Sequence, residues 1–341
     1  MKPLRFAIAG AGFWSRFQLA GWREIEGAQC VAVYNRTRSK AEALAREFGV
    51  PAVYENFEAL LDRETLDFVD VVTNVETHAA LVMEAARRRL PVICQKPLAP
   101  DLDTARAMVD ACGQSGTPLL VHENWRWQAP IRAMKRVLDS GRLGRVVRAR
   151  IDYAHSFPVF ENQPFLREVE QFILADMGTH LLDVARFLWG EARELYCQTR
   201  RMHPDIRGED VATVVMRMAR EVTVTVNMSY ASRWEFDRFP ETFIAVEGSD
   251  AGASLTADGQ LRIFGVNGVE EQRVRPAHYA WADPAYAAVH ASIVDCHRNL
   301  FGSLRGEGAA ETTGEDNLRT LELVFGAYRS ARSRAAIDLS A

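Results

Sequence analysis

Three groups of residues in this 341-residue chain have the types and spacing to do chemistry. The first is Gly10-Ala11-Gly12-Phe13-Trp14-Ser15, close to the N-terminus. Gly10 permits a tight turn, and Gly12 lets the backbone approach a pyrophosphate where a helix begins. The third position of this pattern holds Ser15, small enough for close packing but not the usual Gly or Ala. The second group is Gln95-Lys96-Pro97. A lysine on a loop held by proline can shuttle a proton, and a cis peptide is expected before Pro97. The bland alternative is a solvated surface cation. The third group is Asp176-Met177-Gly178-Thr179-His180. Four residues apart on a helix, the carboxylate and the imidazole share a face, so Asp176 can orient His180 in a proton relay. An N-cap Asp beside a buried histidine accounts for the same pattern equally well.

Other polar residues gather around these groups. Thr73-Asn74-Val75-Glu76-Thr77-His78 follows an apolar run, on the edge where a parallel sheet binds ligands. Helix capping by Asn74 or Thr77 is the structural alternative, and His78 can equally be packed inside the helix start. Asn35-Arg36-Thr37-Arg38 falls where an acid would meet the adenosine ribose of NAD. Charge alone tilts this position toward NADP. Asn35 can still bond a 2′-hydroxyl and Arg36 can stack on adenine, so both cofactors stay open. His122-Glu123-Asn124-Trp125-Arg126-Trp127 mixes aromatic faces with hydrogen-bonding groups, as a polyhydroxylated ring requires. A hinge with packed indoles is the alternative.

The expected cofactor-binding residues are therefore Gly10, Gly12, Phe13, Trp14, Asn35, Arg36, Thr73, Asn74, His78, Gln95, Lys96 and Asn124. The expected substrate-binding residues are Lys96, Asn124, Arg126, Trp127, Tyr153, Asp176 and His180, with His155, Gln163 and Gln171 behind them. No second ligand set stands at suitable spacing, so no metal is expected.

The elements that must position these groups fall into two regions. Up to about residue 125, short apolar runs alternate with helix-period segments: Arg5–Gly10, Cys30–Asn35, Phe68–Thr73, Pro91–Cys94 and Pro118–His122. The helices between them are expected near Phe13–Glu24, Ser39–Phe48, Thr77–Arg88 and Asp101–Gln114, with Ser39 and Asp101 as N-caps. Continuous apolar strands between amphipathic helices imply a doubly wound parallel sheet, a Rossmann domain over residues 1–125. From 126 to 341 strand follows strand, from Arg145–Tyr153 to Gln260–Phe264. That order implies an α+β domain with a mostly antiparallel sheet. Helices are expected near Asp176–Leu188, Pro284–Phe301 and Glu315–Ser333, the last two packing back on the first domain.

Composition narrows the function. A formal charge of −4 offers no footprint for nucleic acid. No stretch is long and apolar enough for a membrane span, and Arg16 and Gln18 break the resemblance of Phe6–Trp14 to a secretory leader. Five scattered cysteines without a C-x-x-C pair fit reduced thiols in the cytoplasm.

In order and spacing, the glycine loop, Thr73–His78, Gln95-Lys96-Pro97 and Asp176-x-x-x-His180 resemble the glucose-fructose oxidoreductase/inositol dehydrogenase (Gfo/Idh/MocA) family. The resemblance covers essentially the whole chain. It implies a catalytic group of Lys96, Asp176 and His180, and homodimers or homotetramers formed through the open sheet. Two positions depart from the family pattern: Gln95 stands where Glu is usual, and no acid ends the second strand. Val92–Pro97, His122–Trp127 and His203–Asp210 are similar to members that oxidise the anomeric carbon of a branched pentose to its lactone with NAD. Another aldose, an inositol or a dihydrodiol is the alternative substrate. A dinucleotide-sensing regulator without catalysis is the alternative of another kind.

Overall fold

The computed structural model describes residues 2–155, 159–232 and 242–339. The chain forms two compact units, Met1–Glu123 with Ile293–Leu321, and Asn124–Ser292 with Glu322–Ala341.

In the first unit strands and helices alternate. They run β1 (Leu4–Ala9), α1 (Phe13–Trp22), β2 (Ala28–Tyr34), α2 (Arg38–Phe48), β3 (Ala52–Tyr54) and α3 (Phe57–Arg63). Then come β4 (Phe68–Val71), α4 (Val75–Arg87), β5 (Val92–Gln95), α5 (Leu102–Ser115) and β6 (Leu119–His122). The six strands are parallel in the order β3-β2-β1-β4-β5-β6. That order is the doubly wound Rossmann arrangement, with its switch point between β1 and β4. Phe6–Ala9, Phe68–Val71 and Val92–Cys94 are buried throughout, as strands covered on both faces must be.

Two local expectations change. Thr37, not Ser39, precedes α2 as its N-cap, whereas Asp101 does cap α5, accepting the Thr104 N–H at 2.7 Å. The pair β3 and α3 was not foreseen, because three half-buried residues after Pro51 carry no periodicity.

The inner face of α1 is pinned by polar contacts. Trp22 Nε1 donates to Asp70 in the middle of β4 at 2.7 Å, and its ring stacks on His297 at 3.8 Å. Gln18 Oε1 meets His297 Nε2 at 2.6 Å. Burial pushes the His297 imidazole well below its ordinary pKa, so it is neutral and donates through Nε2.

The second unit is built on α6 (Ala129–Asp139), β7 (Val146–Ala154), α7 (Val159–Asn162), α8 (Thr179–Trp189), β8 (Ala192–Arg200), β9 (Val211–Met218) and β10 (Thr223–Ser229). These are followed by β11 (Thr242–Gly248), β12 (Ala251–Leu255), β13 (Gln260–Gly265), β14 (Gly268–Arg273) and β15 (Ile337–Asp338), while α9 (Ala287–Leu304) and α10 (Gly314–Ser333) each cross the bounds of the two units. Nine strands form one sheet in the order β14-β13-β12-β11-β7-β10-β9-β8-β15. All neighbours are antiparallel except β10 and β7. The alternation that predicts a half-buried sheet is plain in β9: Ala212, Val214, Met216 and Met218 face the core, and Thr213, Val215 and Arg217 face away. Residues of α8, among them Leu181, Leu182 and Val184, belong to that core. Among the described residues, no helix is long and apolar enough to cross a membrane.

Candidate active site

In the first unit the glycine loop leaves the carboxyl end of β1. Gly10 has φ +117°, and a Cβ there would lie 2.4 Å from the Val72 carbonyl oxygen, so no other residue fits. Gly12 is the N-cap of α1, and a Cβ on it would meet nothing within 4 Å. Its N–H donates to the buried Ser15 Oγ at 3.2 Å. That bond is a physical reason for serine at the third position, where Gly or Ala could not accept it. Phe13 and Trp14 open the helix, so helix geometry gives their N–H groups no carbonyl within it. Their rings pack edge to face at 5.3 Å, and Phe13 is largely exposed.

Asn35 makes two contacts within the first unit. Its Oδ1 accepts the Ala11 N–H at 3.2 Å, and its Nδ2 donates to the Thr37 carbonyl at 3.0 Å. Both arms of the amide therefore hold the glycine loop and the start of α2. Arg36 beside it is exposed, while Arg38 pairs with Glu42 at 2.7 Å and with Glu55.

At the ends of β4 and β5, the Thr77 hydroxyl reaches Thr73 Oγ1 at 2.8 Å, and Asn74 is the N-cap of α4 without a side-chain bond. His78 is 1% exposed, with Nε2 3.0 Å from the Thr73 carbonyl and Nδ1 3.2 Å from the Leu98 carbonyl. His78 is therefore packed inside, its ring lying between the Thr73 and Leu98 carbonyls. Burial holds its pKa below the ordinary value against the pull of those carbonyls. The Lys96–Pro97 peptide is cis and Lys96 is half-buried. Gln95 Nε2 is buried with no hydrogen-bond partner among the described residues.

These features fit a dinucleotide. The space in front of Gly12, the N–H groups opening α1 and the orphaned Gln95 amide lie on the carboxyl edge of one parallel sheet, where such ligands bind.

In the second unit, Asp176 lies on a π-helical turn, Leu174–Gly178, that runs into α8. Such turns concentrate at functional sites. The Tyr230 hydroxyl donates to Asp176 Oδ2 at 3.4 Å. Burial, with Tyr153 and Asp176 nearby, pushes the Tyr230 phenol well above its ordinary pKa, so it remains a donor. His180, one turn on, is 5% exposed and lies flat against Trp125, centroids 4.9 Å apart. Tyr153 meets the edges of Trp125 and Tyr230 at 5.9 Å and 5.8 Å. Trp125 and Tyr230 thus link Asp176, His180 and Tyr153 within the second unit.

Three other expected ligands make contacts within the second unit. Arg126 is 5% exposed and forks onto Asp183 of α8, with Nε to Oδ2 at 2.7 Å and a second bond from Nη2 to Oδ1. Its guanidinium is thus engaged with α8 within the second unit. Asn124 Nδ2 donates to Ser292 Oγ at 2.7 Å. The Trp127 ring stacks under the Arg132 guanidinium at 3.6 Å. His155 is buried beside Tyr153, its N–H bonded to the Ser229 carbonyl at 2.8 Å, and Gln163 and Gln171 stay partly exposed. Among the described residues no three His, Cys, Asp or Glu side chains converge as a metal would require.

Two family models match the chain. The oxidoreductase family model with an NAD-binding Rossmann fold matches residues 4–123, and the GFO/IDH/MocA C-terminal domain matches 131–266. The chain belongs to the Gfo/Idh/MocA family. This member is 41% identical to a D-apiose dehydrogenase of Paraburkholderia graminis, over 99% of the chain and 90% of the relative. It is 37% identical to a D-apiose dehydrogenase of Rhizobium rhizogenes, over 100% and 99%. A crystal structure of an Agrobacterium radiobacter oxidoreductase, in complex with NAD+, L-tartaric acid and magnesium, superposes with a TM-score of 0.97. That likeness comes at 37% identity over 99% and 98% of the two chains. Like its family, the chain is an NAD-binding oxidoreductase, and this decides for the enzyme over the sensor.

Two residues of this Gfo/Idh/MocA site escaped the sequence. Trp125 was noticed only as part of an aromatic cluster. Tyr230 ends an alternating strand, and nothing local distinguishes it from a core tyrosine.

Proposed function

We propose that the chain oxidises D-apiose at its anomeric carbon to D-apionolactone, with NAD+ or NADP+ as oxidant. The observation that carries this reading is identity of 41% and 37%, along the full chain, to two D-apiose dehydrogenases. A nicotinamide held at the glycine loop would supply the acceptor for the hydride, and so for the two electrons, that leave C1. The anomeric hydroxyl gives its proton to a catalytic group of Lys96, Asp176 and His180. The acceptor is either Lys96 Nζ or the His180 imidazole. Asp176 balances the charge that develops, and Trp125 and Tyr230 hold the His180 ring and the Asp176 carboxylate in place. Lys96→Ala is expected to bind cofactor normally and lose turnover on D-apiose. Turnover close to wild type would overturn the assignment. Rates on D-apiose against common aldoses, inositols and dihydrodiols test the substrate.

Use of NADP+ alongside NAD+ is supported by Asn35, which carries no charge to repel a 2′-phosphate, and by the exposed Arg36. We also propose a homo-oligomer in which a second copy covers the open face of the nine-stranded sheet. Arg148 pairs with Glu247 on that face at 2.8 Å, and Asn227 bridges Asp152 and Thr213. Both charge signs on one face suit a twofold, self-complementary contact. Light scattering that gives a single-chain mass would overturn this. Free cysteines, four of the five buried, support a reducing, cytoplasmic location.

A further inference from the structure

The segment His203–Asp210 holds two consecutive acids with opposite duties. Asp210 closes its own loop: Oδ1 accepts the Met202 N–H at 2.7 Å and Oδ2 the His203 N–H at 3.0 Å. Glu209 turns instead to the start of the helix that carries Asp176 and His180. Its Oε2 accepts the Phe172 N–H at 3.3 Å, its backbone carbonyl the Ile173 N–H at 3.0 Å, and its Oε1 the Leu174 N–H at 3.1 Å. The next N–H, of Ala175, donates to the Tyr328 hydroxyl at 3.1 Å, and that hydroxyl donates to Glu209 Oε1 at 2.7 Å.

A helix begins with four N–H groups that have no partner inside it. Here all four, from Phe172 to Ala175, are taken by Glu209 and Tyr328. Asp176 is the next residue, and its N–H makes a bond within the helix, to the Phe172 carbonyl at 2.8 Å. The approach is close: a Cβ on Gly208 would lie 2.8 Å from Phe172 Cβ and 2.9 Å from the Val169 carbonyl oxygen. Burial pushes the Glu209 carboxyl up, while the Tyr328 hydroxyl and the N–H donors pull it back. Burial and Glu209 raise the Tyr328 phenol, which therefore stays a donor.

We propose that Glu209 and Tyr328 are positioning residues for the reaction: they fix the first turn of this helix, and through it the Asp176 carboxylate. The inference rests on the reading that Asp176 belongs to the catalytic group. A residue that acts this way changes the chemical step and spares cofactor binding, because it touches neither ligand.

The test uses the full chain with D-apiose and NAD+. Glu209→Gln keeps one acceptor oxygen but sets an NH2 against the backbone donors, and Tyr328→Phe removes a single hydroxyl. Both should lower kcat by about 10- to 100-fold. The KM for NAD+ should stay within about twofold of wild type, and circular dichroism should stay native. With D-apiose deuterated at C1, the isotope effect on kcat should rise as the chemical step becomes limiting. If kcat is unchanged in both variants, or falls only with lost folded protein and a weaker NAD+ KM, the inference is overturned. Asp176→Asn separates the two claims: full turnover there removes the catalytic group itself, and the positioning role with it. Lost turnover in Asp176→Asn beside intact Glu209→Gln and Tyr328→Phe refutes the positioning role alone.

Discussion

The indole of Trp125 lies face to face with the imidazole of His180, with planes 18° from parallel. Tyr153 meets the indole at its edge, 5.9 Å between centroids. A stacked ring resists rotation, so the direction of the imidazole N–H is set before substrate arrives. Aromatic contacts of this kind are worth about 1 kcal/mol beyond burial. Trp125→Leu should therefore lower kcat/KM for the sugar by roughly fivefold, with NAD+ affinity unchanged. Trp125→Phe, which keeps a stacking face, should recover most of the loss. Equal losses in both variants would dismiss the stacking role.

The Arg126–Asp183 pair should reveal itself as structure rather than recognition. Removing one member of a buried pair costs about 3–5 kcal/mol when the other charge is left alone. Asp183 also has Arg186 Nη1 at 3.9 Å, so urea unfolding of Arg126→Met should show a loss at or below the lower end of that range. Replacing both residues, as Arg126→Met with Asp183→Leu, should recover much of it, because Arg186 keeps Glu191 at 2.8 Å. A variant of normal stability whose only defect is a raised sugar KM would restore Arg126 to the substrate.

Asp70 gives the first unit a pH dependence of defined sign. Burial raises its carboxyl pKa to about 7, against the pull of the Trp22 indole N–H. Between about pH 4 and pH 7 the folded chain holds a proton that the unfolded chain has released. Stability therefore falls as pH rises through that window and levels off above it. Asp70→Asn keeps an acceptor for Trp22 and removes the ionisation. Its stability relative to wild type should climb from pH 4 to pH 7, by at most about 4 kcal/mol. Parallel stability curves for the two proteins would contradict the assignment.

Cofactor choice should move with Arg36. Arg36→Ala should raise the KM for NADP+ by about tenfold and leave that for NAD+ within about twofold. Asn35→Asp keeps the acceptor for Ala11, loses the donor to Thr37 and adds a charge that repels a 2′-phosphate. It should therefore shift preference toward NAD+. An unchanged NADP+ KM in Arg36→Ala would show that the guanidinium does not meet the 2′ position.

Much of the fold was legible because its strands announce themselves in two distinct ways. Phe68–Val71 reads as continuous burial and Val211–Met218 as strict alternation, so a parallel sheet could be separated from a half-exposed one. The short β3 and β15 lack the length to show either pattern. At the site, residue type was a good guide where backbone geometry forces a choice, as at Gly10. It is ambiguous where a polar side chain can serve a ligand or the protein with equal chemistry. Arg126 finds its carboxylate 57 residues away, and Glu209 finds Tyr328 119 residues away. Only tertiary structure brings such partners together, so no local pattern could assign them.

The buried cysteines carry a practical consequence. Cys94 is in a central strand of the first sheet, and Cys197 is in a strand of the second, each 0–1% exposed. Burial pushes the Cys197 thiol up to about 12 and Cys94 well above its ordinary value, so neither offers thiolate to a reagent in the native state. A thiol-specific dye can then modify them only when the surrounding strands separate. With the other cysteines replaced, single-thiol versions would carry one clock in each unit, and labelling rates would report how often each opens under working conditions.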